Sequence, residues 1–247
     1  MKFPRVVATE TLDGLAWNDP AAMHSRRDLQ RLHRAMGTRA TVLKALRGMQ
    51  IGRRRQTPLR VLELGAGDGS LMLGVARTLA PVWPKVELTL LDRQPLIGQS
   101  VIASFAGVGW AAVARVADAL DWATEASHPP DASGRPACWD LIVVNLFLHH
   151  FEGAQLSALL TGIAGRSDRL VACEPHRGWL ALGGSHLVGA LGANAVTRED
   201  AVLSVRAGFR GRELTALWPQ QTQPWTLHEA RAGLFSHCFC ASRDGAC

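Results

Sequence analysis

Between residues 59 and 173, apolar runs of strand length alternate with stretches of helical spacing. Such alternation restricts a chain to a parallel sheet with crossover helices, because each strand and helix must bury its apolar side on the next. Strands are expected at 60–64, 86–91, 111–116, 139–145 and 169–173, with helices over 70–79, 95–105 and 152–164. The fourth run contains Leu141-Ile142-Val143-Val144, the uninterrupted apolar pattern of a central strand covered on both faces. Beyond it, residues 179–191 read as helix and Thr197 as the cap of another helix. Strands near 213–217 and 234–241 complete a mixed sheet.

The first 57 residues follow a different pattern. Asp19-Pro20 is a helix-start signal, Leu29, Leu32 and Met36 recur at helical spacing, and Gly37 is placed to stop the helix. Thr38 is placed to cap a second helix carrying Val42, Leu43 and Leu46, and residues 53–58 form a polar connector. The expected layout is a helical segment, 1–57, and a main domain, 58–247. Residues 123–137, rich in Pro, Ser, Gly and Asp, are expected as a flexible loop.

Charge sharpens this division. The net charge is +6, yet between Arg26 and Arg60 eleven Lys or Arg face one acid, Asp28, a local +10. Such a segment suits nucleic acid, an anionic surface, an acidic small molecule, or simply solvent. No run of about 18 apolar residues exists and no signal-peptide pattern follows Met1, so membrane insertion is not expected and the cytoplasm is the expected location. Five cysteines lack a paired framework or a C-x-x-C spacing, so reduced thiols and no metal are expected.

The chemistry concentrates at the ends of the strands. Glu63-Leu64-Gly65-Ala66-Gly67-Asp68-Gly69 lies between a strand and a helix, where glycines let backbone approach a ligand. The dinucleotide pattern G-x-G-x-x-G/A places Ser70 at its last position, and no Lys-Ser/Thr follows for a P-loop. The loop instead resembles motif I of the class I S-adenosylmethionine-dependent methyltransferases. That resemblance implies a Rossmann-like α/β fold with a seven-stranded, mostly parallel sheet, helices on both faces and an N-terminal helical lid. It also implies S-adenosyl-L-methionine as cofactor. By the same resemblance, Glu63, Gly65, Ala66, Gly67 and Gly69 hold the cofactor and Asp92, with Arg93 beside it, meets the ribose. Asp118 and Ala119 lie at the adenine, and Asn145 and Leu146 at the methionine end.

Asn145-Leu146-Phe147-Leu148-His149-His150-Phe151 leaves the fourth strand at the mouth of that site. Methyl transfer to a hydroxyl needs alignment and removal of its proton, and histidine can do the latter near neutral pH. Leu148-His149-x-Phe151 is similar to the Leu-His-Asp-Trp segment of small-molecule O-methyltransferases, which makes His149 the candidate base, with His150 where those enzymes have Asp. Post-strand Leu-His-His turns also serve structural roles, so that alternative stays open. Glu174, after the fifth strand, is placed to pair with either histidine, bind substrate or cap a helix. His237, inside an apolar strand, is expected to be a core residue.

Asp28-Leu29-x-Arg31-Leu32 and Glu174-Pro175-His176-Arg177 resemble segments of bacterial methyltransferases found beside type III polyketide synthases. This implies a phenolic, quinone-like or polyketide-derived small-molecule acceptor and O-methylation. An N-terminal Arg, Arg27 or Arg34, is expected to clamp the cofactor carboxylate. The rival is an RNA methyltransferase using the basic segment. The chain has neither an Asn/Asp-Pro-Pro-aromatic segment nor a Pro-Cys nucleophile, which leaves ribose methylation. An NAD(P)-dependent oxidoreductase and a nonenzymatic cofactor-binding protein are further alternatives. Nothing in the sequence specifies an oligomeric state.

Overall fold

In the computed structural model, which describes residues 3–49, 51, 57–125, 138–220 and 224–243, seven strands form one sheet. They are β1 (Leu59–Leu64), β2 (Val86–Asp92), β3 (Trp110–Val116), β4 (Leu141–Asn145), β5 (Arg169–Pro175), β6 (Thr226–Ala232) and β7 (Ser236–Ser242). The order is β3-β2-β1-β4-β5-β7-β6, and only β7 runs against its neighbours. The expected Rossmann-like α/β architecture is therefore present.

Alternation of side chains splits the core into two layers. On one face Leu62, Leu64, Ile142, Val144, Leu170 and Ala172 pack against Trp122 of α6 (Ala119–Thr124) and Leu156, Leu159 and Leu160 of α7 (Gly153–Arg166). On the other, Leu59, Val61, Leu141, Val143 and Val171 meet α3 (Thr38–Gly48), α4 (Ser70–Leu79) and α5 (Gln99–Gly107). Residues with period two in a strand must face opposite sides, so one apolar run supplies both layers. Through Val42, Leu43 and Leu46, α3 belongs to the core beneath the sheet. The short α1 (Thr11–Gly14) and the long α2 (Pro20–Ala35) lie elsewhere, with α2 packed on α9 (Ala195–Ala207). There Ser25 Oγ lies 2.8 Å from Thr197 Oγ1, and Asp28 accepts from the Asn194 N–H at 2.9 Å.

Some expected elements differ, each for a local reason. Residues 213–217 form helix α10 (Glu213–Leu217), not a strand, because Glu229 on β6 accepts the N–H groups of Leu214 and Thr215 and so satisfies its first turn. Helix α5 starts at Gln99 rather than residue 95, after a turn in which Leu96 N–H reaches Gln94 O. Gly37, at φ +68°, takes the cap position expected of Thr38. Asn194, not Thr197, caps α9, accepting from Thr197 N–H at 2.8 Å. Helix α8 (Trp179–Leu187) ends in a 3-10 turn, Val188–Leu191.

Residues 126–137 of the expected loop and 53–56 of the expected connector lie outside the described residues. Ala123 and Thr124 belong to α6. Cys173, Cys238 and Cys240 are free thiols, whereas Cys138 is in a disulfide, against the expectation of reduced thiols throughout. Among the described residues no helix is long and apolar enough to cross a membrane.

Helices α6 and α7 pack closely, and a Cβ on Gly162 would lie 2.7 Å from Ala123 Cβ and 2.8 Å from its carbonyl oxygen. Backbone cannot yield as a flexible side chain can. Gly162→Ala is expected to lower stability by about 1–3 kcal/mol, read as a reduced urea midpoint; an unchanged midpoint would show that the helices separate freely.

Candidate active site

Where β1 ends, the chain makes three left-handed steps in five residues, Gly65 (φ +70°), Gly67 (+56°) and Gly69 (+75°), before entering α4. Only glycine adopts these angles without strain. A Cβ on Gly65 would also lie 2.5 Å from the Phe147 ring, so the loop can pass β4 only without one. Asp68 turns back onto Ser70 N–H at 3.0 Å, filling the first turn of α4 with a carboxylate. Beneath the loop, Glu63 is 2% exposed and its Oε2 has no hydrogen-bond partner. Burial, reinforced by Asp68 and Asp92, pushes its carboxyl well above the ordinary range.

The other expected residues gather at the same sheet edge. Asp92 ends β2 and accepts from Gly67 N–H at 2.8 Å and Gln94 N–H at 2.9 Å. Burial raises its pKa, and those two bonds partly offset the rise. Asp118 follows β3 and caps α6, accepting from Leu120 N–H at 2.7 Å, with Ala119 beside it. Asn145 ends β4 with a buried, unpartnered Oδ1. Leu146, at φ +52°, is the one described non-glycine residue in the left-handed region, a strained conformation held here by Leu146 N–H to Cys173 O at 2.9 Å. These residues line one cavity of about 900 Å³ together with Glu63, Gly65, Ala66 and Gly67, whereas Gly69, also expected at the cofactor, does not line it.

The same cavity reaches His149 and His150, which sit in a 3-10 turn, Leu148–His150, after β4. Glu174, 0% exposed on β5, organises that turn. It accepts from the backbone N–H groups of Phe147 (3.1 Å), Leu148 (2.9 Å) and His149 (3.4 Å), and lies 2.8 Å from His149 Nδ1. Because a carboxylate only accepts, Nδ1 carries the proton and Nε2 points into the cavity. Glu174 itself does not line the cavity; it stands behind His149. It is therefore positioned to orient the imidazole, not to touch a substrate.

Glu10 and Asp13, which no motif marks in the sequence, complete the cluster. Glu10 Oε1 is 3.4 Å from His149 Nε2, and Asp13 Oδ2 is 3.2 Å from His150 Nδ1. Burial alone would lower the His149 pKa, but Glu10 and Glu174 on either side push it up to about 9. Glu10 falls below the usual carboxylate range: burial opposes that shift, and His149 drives it. Their N-terminal segment is fixed to α9, where Asp200 accepts the N–H groups of Thr11 (2.8 Å) and Leu12 (3.0 Å). Arg5 also braces the histidine turn, donating to the carbonyls of His149 and Phe151.

The cationic candidates are placed differently from expectation. Arg27 and Arg34 do not line the cavity; Arg26 does, with bonds to Trp17 O and Gln94 Oε1. Arg93 lines the cavity, yet its guanidinium is engaged by Asp13. Gln30 of α2 donates to Asp68, tying this helix to the glycine loop. His33, also on α2, is held neutral by burial, its pKa lowered to about 4. His237 lies inside the fold with Nε2 on Glu229 at 2.8 Å, the arrangement expected of a core residue.

The sheet order, with one reversed strand and a glycine loop after β1, is that of the Rossmann-like methyltransferase fold. Among solved structures the chain is similar to the plantazolicin methyltransferase BpumL in complex with SAH, with TM-score 0.61 and 13% identity, covering 92% of each chain. The same enzyme with a pentazolic desmethylPZN analog and SAH gives TM-score 0.60, covering 92% of this chain and 93% of that one. Magnesium protoporphyrin IX methyltransferase (ChlM) from Synechocystis PCC 6803 with bound SAM gives TM-score 0.50 at 12% identity, over 95% of this chain and 88% of that one. At these identities the likeness is one of fold. No protein-family profile and no curated protein sequence matches the chain.

Four N–H groups converge on the Glu174 carboxylate. Glu174→Gln would set an amide NH2 against some of those donors and is expected to cost on the order of 3–5 kcal/mol. Urea unfolding measures this, and a wild-type midpoint would deny Glu174 its organising role.

Proposed function

We propose that the protein is an S-adenosyl-L-methionine-dependent methyltransferase acting on a small molecule, by O-methylation of a phenolic, quinone-like or polyketide-derived acceptor. The observation that carries this reading is the continuity of one cavity from the three-glycine loop to His149. Its polar groups suit the cofactor. Glu63 Oε2 and Asn145 Oδ1, buried and unpartnered, offer acceptors to an ammonium group, and Asp92 offers lone pairs to a ribose diol. Asp118 and Ala119, which line the same cavity, are assigned to the adenine in this reading. Asp68, bonded to Ser70 N–H, opposes a pyrophosphate at the start of α4, which argues against a nicotinamide dinucleotide.

When bound, the cofactor supplies a methyl group already activated by its sulfonium. The residues of this chain then have two tasks. The first is alignment, for which Phe147, Phe151 and Phe235 offer the cavity an apolar wall. The second is removal of the acceptor's proton. Glu174 fixes His149 with Nε2 toward Glu10, and an acceptor hydroxyl that displaces Glu10 removes one of the two carboxylates that keep the ring protonated, so that Nε2 can lose its proton and serve as the base. His149 Nε2 would then take the O–H proton that the acceptor gives up as it is methylated. Residues 3–35, lying over the strand ends, serve as the lid in this reading.

Calorimetric titration with S-adenosylhomocysteine and NADPH tests the cofactor, and tight NADPH binding with no response to the former would overturn the reading. His149→Ala is expected to lower turnover roughly 10² to 10⁴-fold with cofactor affinity retained; unchanged turnover would remove it as base. Mass spectrometry of extracts incubated with labelled cofactor identifies the acceptor.

A further inference from the structure

Three carboxylates, Glu10, Asp13 and Glu174, converge on two imidazoles at the floor of the cavity. One ligand atom each from Glu10, His149 and His150 lies within 4.8 Å of the others. His149 is 3% exposed, and its Nε2 is buried without a hydrogen-bond partner although it faces Glu10 Oε1 at 3.4 Å. That separation is long for a hydrogen bond. It matches the ligand-to-ligand edge of a tetrahedral zinc site, about 3.3 Å for bonds of about 2.0–2.1 Å.

The surroundings support the three atoms as ligands. His149 Nδ1 is held by Glu174 and His150 Nδ1 by Asp13, which leaves Nε2 of each ring for another partner. A carboxylate on the far nitrogen is the usual support of a metal-bound histidine, since it fixes the tautomer and makes Nε2 more basic. The Glu10 carboxylate is hydrogen-bonded by Ser204 Oγ. Two nitrogens and one oxygen favour a borderline transition cation over magnesium or calcium.

We propose that Glu10, His149 and His150 form a binding site for a divalent transition cation, zinc by preference, whose fourth position opens into the cavity. The rings of His149 and His150 lie 4.3 Å apart at the centroids, close enough for one nitrogen of each to share an ion with Glu10. Metal on His149 Nε2 uses the lone pair that would take the acceptor's proton, so the metal-bound and base-competent states exclude each other. The binding stands on geometry alone; the effect on transfer rests on the methyltransferase reading.

Titrating the metal-free full chain with Co²⁺ tests the site. The expected result is one equivalent of four-coordinate visible absorption without sulfur charge-transfer bands, displaced by Zn²⁺. His150→Ala and Glu10→Gln are each expected to abolish stoichiometric binding, with circular dichroism reporting the fold of each. Asp13→Asn is expected to weaken binding about tenfold. A purely hydrated Co²⁺ spectrum, or binding unchanged in both ligand variants, would overturn the site. In a methyl-transfer assay, one equivalent of Zn²⁺ is expected to lower turnover and a chelator to restore it. Binding without inhibition would sink the exclusion, and binding by a protein that transfers no methyl would sink the methyltransferase reading alone.

Discussion

The Glu174 carboxylate holds together everything that faces the cavity beyond β4. It is fully buried on β5, and it collects three backbone N–H groups from residues 147–149 as well as the imidazole N–H of His149. Without it, the strained Leu146 and the short turn after it would leave several donors unsatisfied in a closed interior. Parallel pairing of β4 with β5, Asn145 opposite Cys173, places the carboxylate one residue beyond the last paired strand position. Sheet register and imidazole orientation are thus one constraint.

The N-terminal segment is the second determinant, and it acts through α9. Asp200, nearly buried, grips the backbone at Thr11 and Leu12, and Ser25 and Asp28 join α2 to the same helix. These bonds deliver Glu10 and Asp13 onto the two histidines and lay α2 across the glycine loop through Gln30 and Asp68. The local positive charge that marks this segment in the sequence is not concentrated in the cavity. Arg26 is the one arginine of α2 that lines it, while Arg31 pairs with Asp28.

Much of this was legible in the chain. The period-two pattern of β1 and β4 and the apolar run 141–144 encode a two-sided sheet, and the 65-67-69 glycine spacing encodes three left-handed residues. Asp92, Asp118 and Asn145 were visible because a parallel strand ends where its apolar run stops. Glu10 and Asp13 were not: an acid in a polar stretch looks like any solvated acid until distant contacts bury it. Residues 213–217 looked like a strand because Leu214 and Ala216 alternate with Glu213 and Thr215, and the Glu229 side chain that caps them as a helix comes from another element. Glu174 was seen as a partner for either histidine, a substrate ligand or a helix cap, and the fold decided among these by setting it on His149 Nδ1.

The sequence by itself determined the sheet, the glycine loop and the acids at its edge, since backbone angles and apolar periodicity are local properties that neighbouring residues fix. Only the tertiary structure decided which nitrogen of His149 faces the cavity and which carboxylates surround it. Those depend on pairing β5 beside β4 and on docking residues 3–15 against α9, contacts between residues far apart in the chain. The electrostatics of the histidine cluster arise from that convergence.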